Sequence, residues 1–265
     1  MAVAVRTFVV ASLAVLVLAG PTAAQVMPPA GLVPPTAAAL SDPPAPTAPA
    51  SDSAPSYNDY FEALGYSFSR GLFTSEQAPP LAIGSAAALA LWPVDERVSR
   101  AVRGRVGGLG KAGDIIGSPM VMGGLSAGLM VASLGSDDTR FRTYAFALSQ
   151  GLIVAGSLTA ATKLATRRTR PNGSNRRSFP SGHAAATFAL ATVSSHYYGR
   201  KAAIPLYALA GAVAFSRVMS GNHYPSDAVA GATIGYLAGR AAILAAQHVS
   251  VGSPSEGGVS ISFVF

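Results

Sequence analysis

The sequence predicts an all-α protein, a helical bundle of about six core helices, and three observations carry that reading. Half of the 265 residues are apolar and only 12% are charged, with a mean hydropathy of +0.38. That is more apolar than an ordinary soluble domain. Apolar stretches recur near 78–93, 115–135, 143–162, 183–198, 202–216 and 226–246, bounded by Gly and Pro. None of them alternates with period two over a useful length, so strands are not indicated.

Residues 1–24 read as a secretory signal. Arg6 supplies the positive start, Phe8 to Ala19 the apolar run, and Thr22-Ala23-Ala24 a small-residue cleavage site. The alternative is an uncleaved anchor helix, for which the run is short. Residues 25–57 are dominated by Pro, Ala, Ser and Thr. They carry too little large apolar surface to offset ordering entropy, and read as a disordered linker. An amphipathic stretch around Tyr60–Phe73 opens the domain, expected over 58–248. The six segments follow, with a basic loop at 94–111 between the first two. Residues 249–265 are Ser- and Gly-rich and read as a flexible tail, its alternating end the only candidate edge strand.

Composition also excludes chemistry. With no cysteine there is no disulfide framework, thiolate nucleophile or Cys-ligated zinc. The net charge of +7 calls for an anionic partner. The basic residues gather at 97–111 and 163–177 rather than in stripes interleaved with aromatics, which favours a phosphate-sized ligand over nucleic acid.

Three blocks bear chemistry: Lys163-x6-Arg170-Pro171, Pro180-Ser181-Gly182-His183, and Ser216-Arg217-x5-His223-x3-Asp227. In a helix His223 and Asp227 would share a face. A carboxylate could then hold one imidazole nitrogen and leave the other as a nucleophile. Arg217 could reach the same anion with a two-pronged donor set. Gly182 admits a ligand close to the backbone. If Ser181 opens the helix carrying His183, its hydroxyl and the neighbouring N–H groups form an anion nest. Lys163 ends an apolar segment, and Pro171 holds Arg170 extended. Cations, an anion nest and two imidazoles are what phosphoryl transfer requires.

In these blocks, order and spacing, the sequence resembles the type 2 phosphatidic acid phosphatase (PAP2) and vanadium haloperoxidase superfamily, whose signature all three match without substitution. The resemblance is strong over about 140–246 and rests on helix pattern alone over 58–139. It implies a PAP2/haloperoxidase-like bundle with no metal and no cofactor. His223 would form a phosphohistidine, Asp227 would orient it, and His183 would protonate the leaving oxygen. Lys163, Arg170, Ser181, Gly182 and Arg217 would bind the phosphate. Arg167, Arg168, Arg176 and Arg177 lie outside the signature, as attractors of an anionic substrate or as solvated loop charges.

The function so implied is a metal-independent phosphatase acting on a lipid phosphate, an isoprenoid pyrophosphate or a small phosphoester. The alternatives are a vanadium-dependent haloperoxidase, against which the short domain argues, and a non-catalytic envelope protein with an unused site. The signal places the chain in the cell envelope, with its site expected on the periplasmic side. The segment lengths leave open a membrane-embedded bundle or a soluble periplasmic one.

Overall fold

The computed structural model describes residues 54–104 and 107–252. The expected signal, nearly all of the linker and the tail beyond 252 lie outside the described residues. Within them the chain is helical and contains no strand.

The helices are α1 (Tyr60–Ser69), α2 (Ala78–Leu91), α3 (Asp95–Val102), α4 (Gly107–Ile116), α5 (Pro119–Leu134), α6 (Thr139–Thr166), α7 (Gly182–Tyr198), α8 (Arg200–Met219) and α9 (Pro225–Gly252). Two of them correct the sequence reading: α3 and α4 occupy most of the stretch expected to be a basic loop. α9 runs four residues past the expected domain end at 248.

Local chemistry sets several of the ends. Asp138 caps α6 by accepting from the N–H groups of Arg140 and Phe141, at 2.9 and 3.2 Å. Ser118 caps α5 ahead of Pro119, whose missing N–H costs nothing at a first helical position. α6 closes on Arg167, a non-glycine residue in the left-handed region at φ 46°, which turns the chain toward the site.

The bundle centres on α9, which packs against α7, α6, α2 and α1. Its approach to α7 depends on Gly231, Gly235 and Gly239, spaced four apart on one face. A Cβ at Gly231 would stand 2.2 Å from the carbonyl oxygen of Ser181, and one at Gly235 2.2 Å from that of Ala185. Small residues at this spacing let two helix backbones touch. The contact sets Ser181–His183 beside the start of α9, where His223 and Asp227 lie. Phe146, Leu148, Val154 and Val193 fill the centre of the bundle, fully buried.

Among the described residues three helices, α6, α8 and α9, are long and apolar enough to cross a membrane by length and composition. Large apolar side chains remain exposed along α5 and α8, among them Met120, Val131, Ile204 and Phe215.

Candidate active site

The three blocks converge where α6 ends, α7 begins and α8 turns into α9. Lys163 lies near the end of α6. Its ammonium donates to the carbonyl of Arg177 at 2.8 Å and to that of Pro180, holding the returning loop against α6. The loop passes through a cis peptide at Phe179–Pro180 and delivers Ser181 as the N-cap of α7. The Ser181 hydroxyl accepts from the Ala184 N–H at 3.4 Å. The helix therefore opens where the sequence reading placed its anion nest.

Gly182 is the first residue of α7. A Cβ there would meet only Thr159, at an ordinary 3.5 Å, so packing within the protein does not demand glycine. The space it leaves belongs to the cavity. That cavity, about 590 Å³, is lined at one end by Lys163, Arg170, Gly182, His183 and His223. The remainder is lined by small and apolar side chains of α5 and α6, including Met122, Ala127, Met130, Leu152, Ile153 and Gly156.

Arg170 donates from Nη1 to Asn222 Oδ1 at 3.1 Å. The Nε atoms of Arg170 and Arg217 are buried and have no partner among the described residues. Buried N–H groups of this kind are costly unless something accepts from them. Arg217, near the end of α8, is not among the cavity-lining residues. Its guanidinium forms an ion pair with Asp114 of α4.

His223 does not sit on a helix with Asp227, as the spacing suggested; it lies in the turn before α9. Its Nδ1–H donates to the backbone carbonyl of Ser178 at 2.6 Å. Asp227 Oδ2 is 3.7 Å from the same nitrogen, beyond hydrogen-bonding distance. That oxygen accepts instead from the Ser178 hydroxyl and from the Tyr224 N–H, the latter at 2.8 Å. The carboxylate thus reaches back across the first turn of α9, as the acidic member of a capping box does. The Ser178 carbonyl fixes the Nδ1–H tautomer and leaves Nε2 unprotonated. Burial, opposed by Asp227, lowers His223 to a pKa of about 4, so the ring is neutral near pH 7.

His183 follows Gly182 on α7. Its Nε2 donates to the backbone carbonyl of Asp114 at 3.1 Å. Burial, followed by the charges of Arg170 and Lys163, lowers its pKa to about 4. Among the described residues no group of three or more His, Asp or Glu is placed to hold a metal ion.

Two groups that the sequence reading left aside belong to the site. Arg168 is no solvated loop charge. Its guanidinium donates to Asp227 Oδ1 at 2.6 Å, to Ser226 Oγ at 2.8 Å and to Asp95 Oδ2 at 2.7 Å. The α4–α5 corner is the second. A Cβ at Gly113 would stand 1.9 Å from Ser216 Oγ, and one at Gly117 2.9 Å from the Cβ of His183. Those glycines let the corner close over the site. Their four-residue spacing was the available signal, hidden by the surrounding charge.

Residues 144–249 match the PAP2 superfamily. A lipid A 1-phosphatase of Porphyromonas gingivalis is 35% identical over 92 residues, 34% of this chain and 21% of that protein. The match therefore spans about a fifth of that relative. The crystal structure of LpxE from Aquifex aeolicus aligns at 22% identity with a TM-score of 0.48, over 58% of this chain and 95% of the other.

Proposed function

We propose, from the match of residues 144–249 to the PAP2 superfamily, that the protein is a metal-independent phosphatase whose substrate is a phosphate carried on an apolar chain. One observation carries the reading: a single cavity has Lys163, Arg170, Gly182, His183 and His223 at one end and apolar helix faces along the rest. Its lining on α6 runs from Lys163 back to Ser149. That is about 21 Å at 1.5 Å per residue. An amphiphile fills such a space with its phosphate among the cations. A small polar phosphoester would leave the apolar wall wet. The related lipid A 1-phosphatase supplies one candidate substrate of this class.

In the mechanism, Nε2 of His223 attacks phosphorus while the bond to the leaving oxygen breaks. His183 gives that oxygen a proton. A water then attacks the phosphohistidine and loses its proton to His183, and the P–N bond returns its electron pair to Nε2. Burial keeps His223 neutral, as attack requires. Burial and the charges of Arg170 and Lys163 hold His183 low, so a bound phosphate must raise its pKa before it can donate. Lys163, Arg170, Arg217 and the start of α7 supply positive charge and N–H groups for the equatorial oxygens.

The three apolar helices and the exposed apolar side chains of α5 and α8 support a membrane-embedded envelope protein, its site expected on the periplasmic side. The test is phosphate release by the full chain in detergent with EDTA present. It compares a lipid phosphate, an isoprenoid pyrophosphate and a soluble chromogenic monoester. Release that survives EDTA, favours the amphiphiles and disappears in His223→Ala supports the reading. Release that needs a metal, or persists in the variant, overturns it.

A further inference from the structure

We propose that Arg168 is the positioning residue of this site: it clamps Asp227, and through Asp227 and Ser178 it fixes the orientation of the His223 imidazole.

The geometry forms a closed ring. The backbone carbonyl of Arg168 accepts from the Ser178 N–H at 2.9 Å. The Ser178 carbonyl accepts from His223 Nδ1–H at 2.6 Å. The Ser178 hydroxyl donates to Asp227 Oδ2. Asp227 Oδ1 accepts from Arg168 Nη1 at 2.6 Å. Arg168 therefore holds Ser178 twice, directly through its backbone and indirectly through Asp227. The carbonyl that sets the His223 tautomer has little freedom left. Asp227 works on His223 at one remove, which accounts for its 3.7 Å separation from Nδ1.

The other edge of the guanidinium anchors the ring to α3. Arg168 Nη2 meets Asp95 Oδ2 at 2.7 Å, and Asp95 caps α9 by accepting from the Ser226 N–H at 2.9 Å. Both carboxylates are inaccessible to solvent, Asp95 at 2% and Asp227 at 0%. A single cation lies between two buried anions, and losing it would leave both uncompensated.

The site demands arginine in particular. The guanidinium carbon lies 3.8 Å from the Trp92 ring centroid and 4.1 Å from that of Tyr224. A planar cation fits between two rings while donating sideways to two carboxylates; an ammonium cannot do both. Tyr224 adjoins His223 in the chain and is itself tied through its hydroxyl to Glu96 at 2.6 Å. The wall of the slot therefore continues into the turn that bears the nucleophile.

The kinetic arm of the test rests on the phosphatase reading; the spectroscopic arm does not. The full chain is compared with Arg168→Lys, which keeps the charge, and Ser178→Ala, which cuts the ring while sparing the ion pairs. ¹⁵N-histidine NMR reads the His223 tautomer, assigned by difference with His223→Asn. The wild type should show the Nδ1–H form, and both variants a mixture. Loss of a residue that orients a catalytic group typically costs about 10–100-fold in activity, here expected in kcat with KM nearly unchanged. A purely structural Arg168 would lower Tm while leaving the tautomer and the kcat of the folded fraction alone. Wild-type tautomer and wild-type kcat in both variants would overturn the proposal. If the wild type releases no phosphate, the phosphatase reading fails, and the tautomer alone decides the role of Arg168.

Discussion

The carboxylate of Asp114 on α4 is ion-paired with the guanidinium of Arg217 on α8, so an anion of the protein occupies a cation expected to bind phosphate. The same residue's backbone carbonyl engages His183. On the proposed reading, a phosphate entering the site would compete with Asp114 for Arg217. Removing the charge should therefore tighten anion binding. A part-exposed ion pair is worth up to about 1 kcal/mol, so Asp114→Asn should lower the inhibition constant for inorganic phosphate about two- to fivefold. Product-inhibition kinetics check this; an unchanged or higher constant refutes the competition.

The two histidines should separate by leaving group. A general acid contributes about 10²–10⁴-fold when the leaving oxygen needs a proton. His183→Ala should thus lose far more activity on an alkyl phosphate than on p-nitrophenyl phosphate, whose leaving group departs as an anion. His223→Ala should lose both equally, along with any acid-labile phosphoenzyme trapped by rapid quench.

The acid limb of kcat/KM should lie near pH 4 rather than near 6.5, because burial lowers His223 from 6.5 to about 4. Stability follows the same window. Between those values the unfolded imidazole binds a proton that the folded one refuses, so the unfolded state carries more protons and stability rises with pH. The contribution is complete above about pH 6.5 and is lost as pH falls toward 4. Thermal unfolding in detergent at pH 7.5 and 4.5 should show the lower Tm at the acid value, by a smaller margin in His223→Asn.

Two glycines should fail in opposite ways. Gly235→Ala should destabilise strongly, since its Cβ would stand 2.2 Å from the Ala185 carbonyl oxygen and neither backbone can yield cheaply. Overpacking of this kind costs about 1–3 kcal/mol, more where backbone is struck. Gly182→Ala should leave Tm unchanged or slightly higher, its Cβ meeting only Thr159 at 3.5 Å. Its damage should appear in catalysis, by up to about 100-fold where a ligand is displaced by an ångström. Paired Tm and kcat/KM values distinguish the two.

Much of the fold was legible because long helices announce themselves locally. Apolar runs, Gly and Pro at their ends and a cap such as Ser181 depend on residues a turn or two apart. α3 and α4 were not legible. Arg97, Arg100 and Arg103 made the stretch read as a basic loop, yet Asp95 is buried against α9 and Gly113 against Ser216. The Gly231-x3-Gly235-x3-Gly239 row was a readable packing signal that the hydropathy pattern obscured.

The sequence by itself determined the helical class, the three blocks and the kinds of group brought to the site, because residue type and short spacing settle propensity and chemistry. The tertiary structure decided which group touches which. Arg168 bridges to Asp95 across 73 positions and to Asp227 across 59, and the His223 Nδ1 bond goes to Ser178, 45 positions away, rather than to Asp227 four away. Such partners are chosen by how helices pack and by where a buried charge can find its counter-charge. Those are properties of the assembled bundle, which no local window of the chain contains.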